Sequence, residues 1–381
     1  STPANANSAK ADRRAARLLS MLALLCLAFL WSFVACWLVS ARQDAVDHAE
    51  QVLRRMNHAV EEQTRRAFKT AVLAFGVIDR WTGDAASGDL RSDPRFRALI
   101  EELRAHSAAG IDLHLVSAEG RILGSSRDAA SLPPNINEAD YFRDAMAGDD
   151  KVVPIGSPLK GGDGTWLIPL ARRLPAKAKG VSAVVATIRL EALIGLYEEE
   201  RWRPNGAIVL LRRDGTLLAR APHDERLMGR SLASGQLYRE YIPRAERGVA
   251  NLDRTATDAR EKIAAYSMMQ DLPLVVVVSA ERGDVLEAWR RHALIIVLLA
   301  LGVTAMSAYV ALRLSRLLRE LSARNAELQR LATIDPMTGI NNRHHFLSLL
   351  YHEFARARRY KSPLSLLVLD LDFFKQINDG Y

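Results

Sequence analysis

Between Leu18 and Ser40 the chain reads LLSMLALLCLAFLWSFVACWLVS, 23 residues without a charge. That is long enough to cross a hydrocarbon core as a helix and longer than the apolar region of a cleaved leader. A second apolar run, Ala293 to Leu312, is flanked by Arg290, Arg291 and Arg313 and predicts a second span. Between the two the pattern changes. Ala45 to Trp81 has few breakers and predicts a long stalk helix. Ile111 to Ser126 (IDLHLVSAEGRILGSS) and Gly206 to Ala221 (GAIVLLRRDGTLLARA) then each give an apolar strand, a polar turn ending in glycine, and a second strand. Gly120 matches Gly215, Ile122 matches Leu217 and Leu123 matches Leu218, all at an offset of 95 residues. Val181 to Tyr197 and Leu272 to Trp289 form a second pair of echoes, each a buried strand running into a short helix. Two α/β modules in tandem account for all four segments.

Beyond the second span, Leu314, Leu321 and Leu328 sit seven apart, with Leu317 and Leu331 in the alternate seam positions and Arg324 between them. This predicts a short parallel coiled coil; one amphipathic helix packed on the next domain fits the same pattern. The stretch 313–333 is too short for a separate four-helix relay module, so the span should continue directly into the coil. A basic helix over roughly 346–360, a break at Lys361, Ser362 and Pro363, and an apolar strand, Leu364 to Leu369, follow.

The net charge of +8 changes meaning once it is located. Lys10, Arg13, Arg14 and Arg17 precede the first span; Arg313, Arg316, Arg319, Arg324 and Arg330 follow the second. Basic flanks mark the cytoplasmic side of a membrane. Both ends are therefore expected inside, residues 41–292 outside, and no nucleic acid as a partner. Cys26 and Cys36, both within the first span, are the only cysteines, so the exterior domain has no disulfide and must stand on its own core. The expected order is a tail (1–17), a span (18–40), the exterior part with a stalk (45–81), a distal module (about 82–197) and a proximal module (about 205–285), a second span (293–312), a linker (313–333) and a final domain from 334. The fold class is α/β (α+β), with two transmembrane helices flanking tandem PAS-like modules.

A stalk, two hairpin-bearing modules and a strand leading into a second span resemble the double Cache extracytoplasmic sensor, over roughly residues 45–290. NINEADYFRDAMAG (Asn135 to Gly148) resembles that family's acidic-aromatic segment at the distal ligand pocket, and TWLIPLARRL (Thr165 to Leu174) its arginine-bearing strand. An aromatic wall with an arginine fork suits a small carboxylate or amino acid. The candidates are Asp140, Tyr141, Trp166, Arg172 and Arg173. Tyr141 and Phe142 fit a core reading equally well, and Arg172 and Arg173 a solvated strand edge.

The last segment carries different chemistry. In LLVLDLDFFKQINDGY (Leu366 to Tyr381) a carboxylate, Asp370, stands at the end of the apolar strand, where hard oxygens can hold Mg²⁺. The amides of Phe373 and Phe374 open a helix and can face phosphate oxygens. Lys375 adds a point charge, and Asn378 offers the acceptor and donors a guanine edge requires. Singly, each also fits a cap or a solvated helix. Together with DPMTGINNR they resemble the start of a GGDEF domain, the diguanylate cyclase family. Asp335, Thr338, Gly339, Asn342 and Arg343 match its opening motif, with Met337 in the leucine place. The resemblance implies Mg²⁺ (or Mn²⁺) on Asp370 and the Leu371 carbonyl, phosphates on Phe373, Phe374 and Lys375, guanine on Asn378, and a structural Asp372. It implies a GTP-using homodimer at the bacterial inner membrane that makes cyclic di-GMP, with a small exterior molecule as its signal. The match covers about the last fifty residues, and the family's naming loop is not among them, so the chain as written is expected to be inactive. Rival readings are a degenerate nucleotide-binding receptor, a bifunctional protein with a phosphodiesterase domain, and a chemotaxis receptor or histidine kinase sharing the sensor. His344 and His345 read as polar helix-start residues rather than metal ligands.

Overall fold

The structure, a computed structural model, describes residues 3–84, 110–126, 132–148, 153–174 and 180–369, with positions 94, 98 and 372. The chain divides into two units, Phe33–Ile296 and Ser1–Ser32 with Val297–Tyr381.

In the first unit the tandem modules are two antiparallel five-stranded sheets of identical strand order. The distal sheet runs β2-β1-β5-β4-β3, built from β1 (Ile111–Val116), β2 (Ile122–Ser125), β3 (Leu159–Lys160), β4 (Trp166–Arg173) and β5 (Ala183–Arg189). The proximal sheet runs β7-β6-β10-β9-β8, built from β6 (Ala207–Arg212), β7 (Leu217–Ala221), β8 (Arg247–Leu252), β9 (Lys262–Met268) and β10 (Leu274–Glu281). The offset of 95 persists in backbone detail. The first hairpin shifts register between Leu115 and Val116, the second between Leu210 and Leu211. Gly120 (φ +77°) donates to the Ser117 carbonyl and Gly215 (φ +92°) to that of Arg212. Positive φ is why both turns end in glycine.

The modules differ in what lies over the sheet. The distal one carries helix α2 (Asp140–Ala147), the proximal one a single π-helical turn, Leu237–Tyr241. Helix α3 (Leu190–Glu199) follows β5, as expected for the first echo. After β10 a short turn, Arg282–Val285, leads into α4 (Glu287–Thr333).

Helix α1 (Pro3–Asp84) includes both the predicted span and the stalk without a break. Its buried apolar residues, Ala49, Leu53, Val60, Phe68, Ala71, Phe75 and Ile78, recur at helical spacing and join the main core. Three polar residues are buried in the same stripe: Asn57, Glu61 and Thr64. Asn57 Nδ2 donates to the carbonyls of Ala265 (3.3 Å) and Val276 (3.0 Å) on β9 and β10. Glu61 takes Arg65 at 2.8 Å and Arg247 at 2.9 Å. Thr64 shares a 2.7 Å hydrogen bond with the hydroxyl of Tyr197 on α3. Nearer the membrane, Trp289 Nε1 donates to the Leu38 carbonyl at 3.1 Å.

In the second unit, Trp31 Nε1 donates to Thr304 Oγ1 at 3.2 Å. Both helices contain windows long and apolar enough to cross a membrane, with mean hydropathy 2.5 and 2.4. Their large apolar side chains, Leu22, Phe29, Leu298 and Met306 among them, are exposed, as are Cys26 and Cys36; exposure of this kind suits lipid rather than water. Helix α4 continues through the predicted coil, leaving Leu314, Leu317, Leu321, Leu328 and Leu331 exposed. Helix α5 (Arg343–Tyr360) matches the predicted basic helix. The predicted strand at Leu364 to Leu369 is instead irregular and exposed: a strand needs a ladder partner, and none is present among the described residues.

The glycine turns yield a contrast. At Gly164 (φ +84°) a Cβ would meet nothing within 4 Å, while at Gly120 it would fall 2.5 Å from the Asn137 nitrogen. Gly164→Ala should therefore cost about 1–2 kcal/mol of backbone strain alone. Gly120→Ala should lower the unfolding midpoint distinctly further, because backbone must move. Thermal unfolding of the two variants compares them directly.

Candidate functional site

The signature DPMTGINNR folds into a turn joining α4 to α5. Asp335 Oδ1 accepts the amides of Met337 (3.1 Å) and Thr338 (2.9 Å) and the Thr338 hydroxyl (2.9 Å). These bonds to the charged form hold its carboxyl below the usual carboxylate range, the Thr338 amide contributing most. Gly339, at φ +71°, closes the turn by donating to the Asp335 carbonyl. Asn342 caps α5 by accepting the His345 amide at 2.9 Å, while its Nδ2 reaches back to the Ala332 carbonyl at 2.9 Å. His345 thus lies in the first turn of a helix. The nucleotide and metal candidates Asp370, Leu371, Phe373, Phe374, Lys375 and Asn378 lie outside the described residues.

In the distal module, β4 divides the five sensor candidates. Trp166 packs with Ile168 and Leu170 against the core that contains the stalk, and by strand alternation Arg172 points to that same face. Ala171 belongs to the opposite face with Tyr141 and Phe142 of α2, which are buried against Val116, Ala183 and Val185. Arg173, on that second face, donates to the Met146 carbonyl at 3.4 Å. Trp166 Nε1 approaches Glu225 at 3.5 Å, and Lys160 sits over its ring. Asp140 accepts the Tyr141 amide on Oδ1 at 2.7 Å and reaches the proximal module with Oδ2, which takes Arg212 Nη1 at 2.9 Å. Arg212 also holds Asp214 at 2.7 Å, the Ile155 carbonyl at 3.1 Å and Thr216 Oγ1 at 3.3 Å. Its pKa rises, chiefly through Asp214; that of Asp214 falls to about 2, because hydrogen bonds from Arg212 and Thr216 outweigh a burial that would raise it.

The α2-side face of the distal sheet also carries a buried polar group that sequence reasoning missed. Asp112 and His114 alternate along β1, opposite Thr187 on β5 and Ser125 on β2. Ser125 Oγ hydrogen-bonds His114 Nδ1, and Thr187 Oγ1 lies 3.4 Å from Nε2. Asp112 pairs with Arg189 at 3.5 Å. Burial lowers the His114 pKa to about 4, against the pull of the Asp112 carboxylate. The signal was present in IDLHLV, where D-x-H interrupts a strand otherwise apolar on both faces.

Residues 191–279 match the family model described as a dCache-like histidine kinase sensor domain, and residues 332–381 match that of the GGDEF diguanylate cyclase domain. The Shewanella oneidensis diguanylate cyclase DgcS is 46% identical over 55 residues, covering 14% of this chain and 19% of that protein. The "Probable diguanylate cyclase DgcC" of Escherichia coli K12 is 42% identical over 62 residues, covering 16% of this chain and 17% of that one. The chain thus spans under a fifth of the curated relatives it matches. Among solved structures, the extracellular domain of a protein described as a histidine kinase, rpHK1S-Z16, is 27% identical with a TM-score of 0.54, covering 64% of this chain and 99% of that domain. The sensor is therefore of a kind found beside other output domains, and here a GGDEF segment follows it.

His114 carries a pH signature. An unfolded imidazole titrates near 6.5, the folded one near 4. Between these values the unfolded chain binds the extra proton, so stability is complete above about pH 6.5 and is lost as pH falls through that window. The loss should approach about 3 kcal/mol. Denaturant midpoints at pH 7 and pH 5 should differ for the native chain and converge for His114→Gln.

Proposed function

We propose that this chain, which joins a dCache-like sensor to the opening of a GGDEF domain, is the receptor part of a bacterial inner-membrane diguanylate cyclase. The observation that carries the reading is the order of parts along α4. One unbroken helix, Glu287–Thr333, begins six residues after β10 ends and stops two residues before Asp335, the first of the DPMTGINNR turn. A change in the sensor therefore reaches the GGDEF segment through continuous hydrogen-bonded backbone.

The signal is a small exterior molecule, a carboxylate or amino acid, received by the distal module. The polar face at Asp112, His114, Ser125 and Thr187 and the arginine at 173 supply its groups; Tyr141 walls that face, and Asp140 couples it to the proximal module through Arg212. Trp166 and Arg172 act from the other side of β4. The exposed leucine seam of α4 pairs with that of a second copy, giving a homodimer.

Inside the cell, two GTP molecules react, the 3′-hydroxyl of each attacking the α-phosphate of the other, with loss of pyrophosphate. Asp370 and the Leu371 carbonyl are hard oxygen donors, the set Mg²⁺ or Mn²⁺ prefers. The metal, when bound, neutralises phosphate charge. Phe373 and Phe374 hold phosphate oxygens by their amides, Lys375 adds its charge, and Asn378 orients the guanine.

In the full-length parent protein, Asp370→Ala should lower cyclic di-GMP formation from GTP and Mg²⁺ by roughly a thousandfold, the size of a lost metal contribution. Retained turnover would remove the proposal, and chromatography of the product decides. Leu321→Asp should shift the parent toward monomer, read by light scattering in detergent, and reduce synthesis in parallel.

A further inference from the structure

The duplication gives each module the same sheet face, and the two faces are filled differently. By strand register, Asp112, His114 and Val116 of β1 correspond to Ala207, Val209 and Leu211 of β6; Val185 and Thr187 of β5 correspond to Val277 and Ser279 of β10. In the distal module, α2 seats Tyr141 and Phe142 against this face. In the proximal module the single turn at Leu237–Tyr241 leaves a cavity of about 70 Å³ floored by those five β6 and β10 residues.

We propose that this cavity is a second ligand site, in the membrane-proximal module, for a small monocarboxylate of acetate or propionate size. Volume sets the size: an engineered cavity of about 150 Å³ accepts benzene, and this one is half as large. Val209, Leu211, Leu237 and Val277 give it an apolar floor and wall, suited to a short alkyl group. Lys262 also lines it, with its side chain only 2% exposed. Among the described residues its ammonium donates to Asp258 alone, so two of its three donors are open to a ligand.

Charge gives the sign. Arg220, itself buried, stands 4.0 Å from the same Asp258, and Arg254 lines the cavity. The lining residues thus include two cations, Lys262 and Arg254, and no aspartate or glutamate, so an entering carboxylate meets favourable charge. Several other polar lining groups are already engaged: Ser279 Oγ donates to the Ala207 carbonyl, Tyr238 to that of Arg212, Thr255 to Asp258, and Gln236 Nε2 to Glu240.

The inference stands apart from the cyclase reading, because its test is binding alone. The full chain in lipid nanodiscs would be titrated calorimetrically with sodium acetate and sodium propionate, and with propanol and propylamine as matched controls. Saturable binding of a carboxylate, with the controls at least about tenfold weaker, is expected. Lys262→Met should weaken it by about tenfold or more, and Val209→Phe should abolish it by filling the floor. Absence of saturable carboxylate binding to the native chain overturns the proposal, as does equal affinity for propanol or an affinity unchanged in both cavity variants. The comparison of ligands on the native chain decides even if a variant fails to fold.

Discussion

Three buried polar side chains on one helix fix how the sensor is assembled. Asn57, Glu61 and Thr64 interrupt the apolar stripe of α1, and each finds partners on a different element: β9 and β10, β8, and α3. An all-apolar stripe could slide by a turn against the modules at modest cost, since dispersion is indifferent to register. These three cannot. Sliding α1 by one turn, about 5.4 Å, would part Asn57 and Thr64 from these partners and Glu61 from Arg247, leaving it Arg65 of its own helix, at about 1–3 kcal/mol apiece. The sum is several kcal/mol, a large share of the about 8 kcal/mol with which a micromolar ligand binds. A ligand of that affinity would have little left to drive the stalk through the sheets, so the economical response to one keeps α1 in register while the modules repack around it.

The duplicated modules show how one scaffold accommodates two chemistries. The backbone devices are common to both: strand order, bulge position and the positive-φ glycine. The side chains on the equivalent sheet face are not. Aspartate and histidine in one become alanine and valine in the other, while threonine becomes serine. A helix with two aromatic residues covers the first, and a single turn covers the second. Arg212, at the end of β6, spans the pair by holding Asp140 at the start of that helix. Because the Arg212–Asp140 pair is partly exposed, its strength is modest. A weak joint yields readily to a shift of one module against the other.

Periodicity made the architecture legible before any coordinates. Apolar length gave the spans, the offset of 95 gave the tandem sheets, and leucine spacing gave the continuation of α4. Sites were less legible because they depend on which face a strand shows. Trp166, Arg172 and Arg173 lie within eight residues, yet β4 sends the first two one way and the third the other. Asp140 looked like a ligand group until the structure placed it opposite Arg212. Asp112 and His114 are hidden in IDLHLV by the apolar residues between them, because only the strand's alternation puts the two on one face. Leu364 to Leu369 read as a buried strand from composition, but pairing is a tertiary fact and no periodicity supplies the partner.

The turn after α4 decides what kind of motion can pass. Asn342 donates to the Ala332 carbonyl from its side chain and to Thr333 from its backbone, while Ile334 bridges Asn341. Asp335 ties the intervening loop by three more bonds. The last turn of α4 and the first of α5 are thereby stitched together, leaving no free swivel between them. Rotation of α4 about its axis must carry α5 with it, whereas a flexible loop would absorb the change. In the stitched turn Asp335, Thr338, Gly339 and Asn342 each supply an acceptor, a donor or a backbone angle to the junction. The energy that biases such a rotation is bounded by the difference in ligand affinity between the two arrangements, so a stiff junction spends little of it on deforming itself.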